Sequence, residues 1–274
     1  MTVPGPRRRR LRTLAWLALA VLAAGCAPHR VAPAFVLPET RAARFQAALA
    51  DREKLGRAAV ADVTLWLRTA VGGAYPAANG VLALAGPDAA RLRVGSAFGT
   101  AFDASARGDS LLVVLPARRI GVAADASHDS LGVRGLSALA FHLLAAAWRP
   151  PERAWEEAAW SGSLLVLDWE EGGDSLRLAV DGNGLPARVR LRRGDGLEVR
   201  ARYPRWRASE GAAWPAEVEL EDGEGRIRAR CRVERLDFRA QLNPGRMAAR
   251  AGDRIRLLDW PSFRRALERG EDPR

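Results

Sequence analysis

Lysine is nearly missing from this 274-residue chain: Lys54 is the only one among 43 basic residues. A cationic surface made almost wholly of arginine can follow from base composition, so the formal charge of +11 is weak ground for nucleic-acid binding. It reads first as a solvated basic face, with anionic lipid head groups as the natural partner otherwise. Cysteine is also scarce. Cys26 and Cys231 are the only two, which excludes a disulfide framework and zinc sites of the Cys-x-x-Cys kind. The three histidines, His29, His128 and His142, are scattered. No Gly-x-Ser-x-Gly elbow, metal-ligand cluster or phosphate loop occurs. Glu156-Glu157 and Glu170-Glu171 are adjacent pairs, whose side chains point apart on a helix or strand. The expectation is a protein that is not an enzyme and needs no metal or cofactor.

A long apolar run is missing as well. Leu14–Ala24 is unbroken but falls short of the roughly 20 residues that span a bilayer. Arg7, Arg8, Arg9, Arg10 and Arg12 precede it, and Ala23-Ala24-Gly25-Cys26 closes it. A charged start, a short apolar stretch and small residues at its end make a secretory signal over 1–25. The closing residues resemble the lipobox of bacterial lipoprotein precursors, which implies lipidation at Cys26. Loss of those five arginines would leave +6 of the +11. Ala27, in place of Asp, favours the outer membrane. With Cys26 lipidated, Cys231 has no partner. Residues 26–39, with Pro28, Pro33 and Pro38, read as a tether.

Residues 40–59 are predicted as a helix capped by Thr40, with an apolar stripe of Ala42, Phe45, Leu49, Leu55 and Ala59. The period then becomes two, with Val63, Leu65 and Leu67 on one face. A loop at 70–79 holds Gly72, Gly73 and Pro76. Strands are predicted near 80–85, 90–97, 110–115 and 118–124. Residues 131–148 read as a helix apolar nearly all round, which must lie on something apolar. A short helix near 152–160 carries Trp155 and Trp160. From 163 onward a β-meander is expected, punctuated by Asp181-Gly-Asn-Gly, Gly194-Asp-Gly and Asp222-Gly-Glu-Gly. One of its faces is apolar and the other charged. In 244–274, Ile255, Leu257 and Leu258 suggest a last strand and 261–269 a short helix.

Several segments carry a resemblance to a known family: Phe98-Gly-Thr before the Ala-Ser-Ala-Arg-Gly-Asp turn, the apolar helix, Asp181-Gly-Asn-Gly-Leu-Pro, Tyr203 ahead of Trp206, and Trp214-Pro-Ala-Glu-Val-Glu-Leu-Glu-Asp-Gly. Together they resemble the LolA/LolB-like family over about residues 40–238, within a half-barrel domain expected over 40–243, and the outer-membrane lipoprotein receptor branch in particular. The resemblance implies a mainly β, α+β fold: a curved antiparallel sheet forming an incomplete barrel closed by helices. It implies a lipid-anchored, monomeric outer-membrane lipoprotein on the periplasmic face. Its partners would be acyl chains of lipoproteins or other lipids, with a periplasmic lipoprotein carrier as donor. Residues 244–274 lie beyond it.

The cavity candidates are Leu65, Leu178, Val189, Val199, Val218 and Cys231 on the sheet, with Leu139, Leu143 and Leu144 on the lid helix. Each lies on the apolar side of a period-two or helical pattern. Val71 and Tyr75 are the candidates for a membrane-insertion loop; the best-known members carry an exposed Leu there. The alternative is a non-catalytic envelope accessory protein whose half-barrel is filled by its own side chains.

Overall fold

Fifteen strands among the described residues form one open sheet in the computed structural model of the protein. It describes residues 38–269 except 71–72, 97–98, 126–134, 195, 239–241 and 243–246. The signal peptide, Cys26, most of the tether and Val71 fall outside the described residues.

Helix α1 spans Pro38–Leu55. Strands β1 (Ala59–Thr69), β2 (Gly73–Ala74), β3 (Ala78–Ala85), β4 (Ala89–Ser96), β5 (Gly99–Arg107), β6 (Ser110–Leu115) and β7 (Ile120–Ala124) follow. Helices α2 (Leu136–Ala145) and α3 (Glu152–Glu156) interrupt them. The second run is β8 (Ala159–Ser161), β9 (Leu164–Glu171), β10 (Asp174–Val180), β11 (Pro186–Arg192), β12 (Glu198–Ser209), β13 (Ala212–Asp222) and β14 (Ile227–Asp237). Strand β15 (Arg256–Leu258) and helix α4 (Trp260–Arg269) end the described chain.

The strand order is β15-β7-β6-β5-β4-β3-β1-β14-β13-β12-β11-β10-β9-β8, with β2 beside β1. Among the described strands every pairing is antiparallel except β15 with β7. The edge strands β15 and β8 do not pair with each other, so the sheet is not a closed barrel. The two meanders meet at β1 and β14, where Leu65 faces Cys231 and Leu67 faces Ala229.

Period two sets the layers. Ala59, Ala61 and Val63 of β1, Leu82 and Leu84 of β3, Val218 of β13 and Cys231 of β14 are all buried on one apolar face. Phe45 and Leu49 of α1 and Leu139, Phe141 and Leu143 of α2 join them in one core. Burying each such side chain contributes about 1.5–3 kcal/mol. The opposite face carries arginines and acids. A second, smaller core forms where Phe263 and Ala266 of α4 pack on Val113, Ile120 and Val122. Residues 247–269 thus pack as part of the same sheet. Ala249 N–H donates to Ser105 Oγ at 3.0 Å on one side, β15 extends the edge, and α4 covers the apolar side.

Several predicted elements differ. The helix predicted over 131–148 is Leu136–Ala145 among the described residues, because Ala146 turns into the left-handed region at φ 51°. Neither Gly nor Pro marks that stop. The helix predicted near 152–160 ends at Glu156, and Trp160 lies on β8 instead. The strand predicted from 118 starts at Ile120 after a 3₁₀ turn. Strand β5 was not predicted, since its Ala, Ser and Thr give little apolar contrast. The predicted stripe of α1 omitted Arg41 and Arg52, which are 1% and 0% exposed.

Candidate functional site

The four central strands β3, β1, β14 and β13 form a trough, and α2 lies across it. Helix α2 touches β4 and β5 on one side and β13 on the other. None of its ten residues is exposed. Its placement depends on a few polar ties. At its start, Gly135 N–H donates to Asp109 Oδ1 at 2.8 Å and Ser137 Oγ to the Pro87 carbonyl at 2.8 Å. At its end, Tyr203 Oη donates to the Leu143 carbonyl at 3.0 Å and accepts from Trp148 Nε1 at 3.0 Å. This uses one of the four carbonyls that a helix C-terminus leaves unbonded. His142 Nδ1 donates to the Ala147 carbonyl at 2.5 Å, and its ring stacks on Trp148. Arg149 then pairs with Glu53 of α1. A Cβ at Gly56 would sit 2.6 Å from Phe141, so the glycine is what lets the end of α1 meet the lid.

Beneath Leu144 lies an apolar void of about 10 Å³, lined by Ala59, Ala61, Leu82, Leu84, Leu144, Trp214, Val218, Cys231, Val233 and Leu236. That is about the lower limit for one water molecule. Of the nine predicted cavity residues, Leu144, Val218 and Cys231 line this void. Leu139, Leu143, Leu178 and Val189 are buried in the core around it, and Leu65 and Val199 are half-buried against that core. The helix side chains therefore fill the trough in this conformation.

The charged groups of the interior were not legible from the pattern. Arg41 and Arg52 belong to the buried side of α1. Arg41 Nη1 donates to the carbonyls of Ser163 at 3.0 Å and Val180 at 3.3 Å, and its guanidinium lies 4.4 Å from the Trp160 ring. Arg52 lies 5.3 Å from the Trp206 ring, and Nε, Nη1 and Nη2 all lack hydrogen-bond partners. Burial lowers its pKa to about 10, with Tyr203, Glu53 and Asp51 partly opposing. Burial likewise lowers the His142 pKa, against the bond to Ala147, and pushes the Cys231 thiol up to about 12.

Asp181-Gly-Asn-Gly has a docking role. Asp181 Oδ1 accepts from the Asn183 and Leu185 N–H groups, each at 2.9 Å. Gly184 sits at φ 77°, and a Cβ there would come 2.7 Å from the Arg44 Cβ. This tight turn seats α1 against the β10–β11 end of the sheet.

One end of the trough has an apolar rim. Leu67 is 40% exposed, Tyr75 42% and Ile227 50%. They are neighbours: Tyr75 N–H donates to the Leu67 carbonyl at 2.9 Å, and Ile227 faces Thr69 across the ladder. Arg68 faces Arg228 beside them. Tyr75 thus lies at this rim, in the predicted loop; β2 and the start of β3 fall within that loop's predicted bounds.

A larger cleft of about 600 Å³ lies by α3 and β9–β11, lined by Arg153, Glu157, Asp168, Glu170, Arg177, Arg190 and Arg192 among others. Its charges are largely paired, as in Arg153–Glu157 and Arg177–Asp168, both 2.7 Å. Pro151, Ala154, Trp169 and Leu176 share its lining with these charges, and it is open to solvent rather than covered by a helix.

No known family profile matches this sequence, and no curated protein matches it either. Solved structures are similar to it. A LolA superfamily protein from Nitrosomonas europaea is 11% identical, covering 74% of this chain and 97% of its own at a TM-score of 0.44. A Vibrio parahaemolyticus domain, provisionally assigned to outer-membrane lipoprotein sorting, is 13% identical, covering 77% and 97% at 0.49. A DUF1329 family protein from Desulfovibrio piger is 10% identical, covering 76% and 96% at 0.48.

Proposed function

We propose that this protein is a non-catalytic lipoprotein of the cell envelope that takes acyl chains into the trough beneath α2. The supporting observation is the position of that helix. Five of its ten residues are buried and none is exposed, it touches both arms of an open sheet, and it covers an apolar void in the trough. Small-molecule sites usually offer about 300–1,000 Å³, so on this reading the conformation described here is a closed one. Acyl chains bind when α2 lifts and its leucines leave the trough. Anchoring through Cys26, placement on the periplasmic face of the outer membrane, a monomeric state and receipt of lipoproteins from a periplasmic carrier complete the proposal. In it, the rim of Leu67, Tyr75 and Ile227 meets the bilayer.

A fluorescent fatty-acyl probe titrated against the soluble domain tests this. Saturable binding at one site is expected. A folded domain that takes up no probe overturns the proposal. The size of the void favours a second reading in that event, an accessory protein whose half-barrel is permanently filled by its own side chains.

A further inference from the structure

Two arginines are buried on the inner side of α1, eleven residues and so about three turns apart. Their surroundings differ in one respect. Arg41 reaches two backbone carbonyls and is anchored by them. Arg52 is equally buried, yet no acceptor meets any of its three nitrogens. The acids beside it in sequence do not meet it: Glu53 binds Arg149, and Asp51 is exposed. The Trp206 ring face gives it a partial counterpart only. Five N–H donors on a fixed cation are thus held out of water without acceptors. Native proteins satisfy nearly all such groups, and an exception calls for a specific reason.

The location suggests one. Tyr203 lies close to Arg52, and burial keeps its phenol protonated, so it offers the guanidinium no anion. The same Tyr203 holds the end of α2 through Leu143 and accepts from Trp148. Trp206, under the guanidinium, packs on the main core. Arg52 therefore lies where the lid's C-terminal end is fastened, over a ring that packs on the same core cluster as Val218 and Cys231 of the void's lining.

We infer that Arg52 is the head-group subsite of the trough: it receives the carboxylate or phosphate of an anionic amphiphile whose acyl chain lies under the displaced α2. This rests on the acyl-binding proposal and narrows it, because a neutral N-acyl chain would leave the guanidinium unpaired. A planar guanidinium matches both carboxylate and phosphate through two parallel hydrogen bonds. The chain alone would bind through apolar contact and the head group would add selectivity.

Three competitors of one chain length, palmitate, hexadecyl phosphate and hexadecanol, are used to displace a fluorescent acyl probe from the wild-type domain. At least one anion is expected to compete at about tenfold lower concentration than the alcohol, a preference of the size that a charge-assisted contact supplies. Which anion leads separates a fatty acid from a phospholipid source. Arg52→Met is expected to bring all three together and Arg52→Lys to keep part of the preference. Arg52→Met is also expected to raise the urea midpoint, since it removes an uncompensated buried charge. Equal competition by all three in wild type overturns the inference while leaving acyl binding in place. Absence of probe binding removes the acyl-binding proposal and the inference together. A lower urea midpoint for Arg52→Met marks the arginine as structural and also overturns the inference.

Discussion

The hydroxyl of Tyr203 and the carbonyl of Leu143 meet at 3.0 Å, sixty positions apart in sequence. Through this bond strand β12 holds the last turn of α2. Tyr203→Phe leaves the Leu143 carbonyl and the Trp148 indole N–H buried without partners. The expected loss is about 1–3 kcal/mol in urea denaturation, with faster uptake of an acyl probe. Unchanged stability and uptake would show that other contacts hold the lid.

Cys231 supplies an internal reporter of that movement. Its thiol is buried at the void, and burial holds it protonated up to about pH 12. Thiolate is the reactive form. A thiol reagent is therefore expected to label the folded domain far more slowly than the unfolded chain. Labelling is expected to accelerate in Tyr203→Phe and to slow again when an acyl ligand fills the trough. Rapid labelling of the closed wild-type protein would contradict the burial.

The lid also carries a pH dependence through His142. Its folded pKa lies below the ordinary 6.5 because burial disfavours the cation. Above about pH 6.5 both states are neutral and the group contributes no slope. Below it the unfolded chain takes up a proton that the folded chain refuses. Stability is then lost, at up to about 1.4 kcal/mol per pH unit, until the folded pKa is reached. Glu53, Glu171 and Arg149 modulate this. Urea midpoints between about pH 7.5 and about pH 5.5, compared with those of His142→Gln, isolate the contribution. A variant with the same slope as wild type would assign the dependence to other groups.

Phe263 is 2% exposed and joins α4 to β6 and β7. Phe263→Ala is expected to cost about 3–5 kcal/mol, readable in thermal or urea unfolding. A loss below about 1 kcal/mol would mean that α4 is a dispensable appendage rather than part of the sheet's packing.

At the exposed rim the expectation is the reverse. Leu67, Tyr75 and Ile227 are each about half exposed, so replacing them with Asp should cost well below the roughly 3–5 kcal/mol of a core truncation at each site. Binding to phospholipid vesicles should fall. Vesicle binding equal to wild type would remove this rim from the membrane contact.

The strands of the second meander were legible because Val189, Leu191, Val218 and Leu220 alternate with charged residues, and the register keeps them on one face. Strand β5 was not, since Ala104 and Ala106 differ little in polarity from Ser105. The end of α2 was hidden because Ala146 adopts a left-handed conformation without glycine. The burial of Arg41 and Arg52 is hidden in the sequence for a related reason. A charged residue on a helix reads as its wet side, although position 41 lies one turn from Phe45 and position 52 about one turn from Leu49. Only the carbonyls of Ser163 and Val180, set by tertiary packing, show how Arg41 is accommodated. The void was illegible too, because periodicity places Val218 and Cys231 on the apolar face without saying whether Leu144 fills the space above them.

The junction of β1 with β14 has a kinetic consequence. Thr64 bonds to Glu234 across that seam, and the two are 170 positions apart. Loop closure of that length comes before any reward from the contacts it brings together. Until β14 exists and finds β1, each half of the molecule is a meander with an open edge and an uncovered apolar side. Nearly the whole chain must thus be present before the centre of the sheet can form. The waiting halves are the stage at which an unprotected chain would meet another copy of itself.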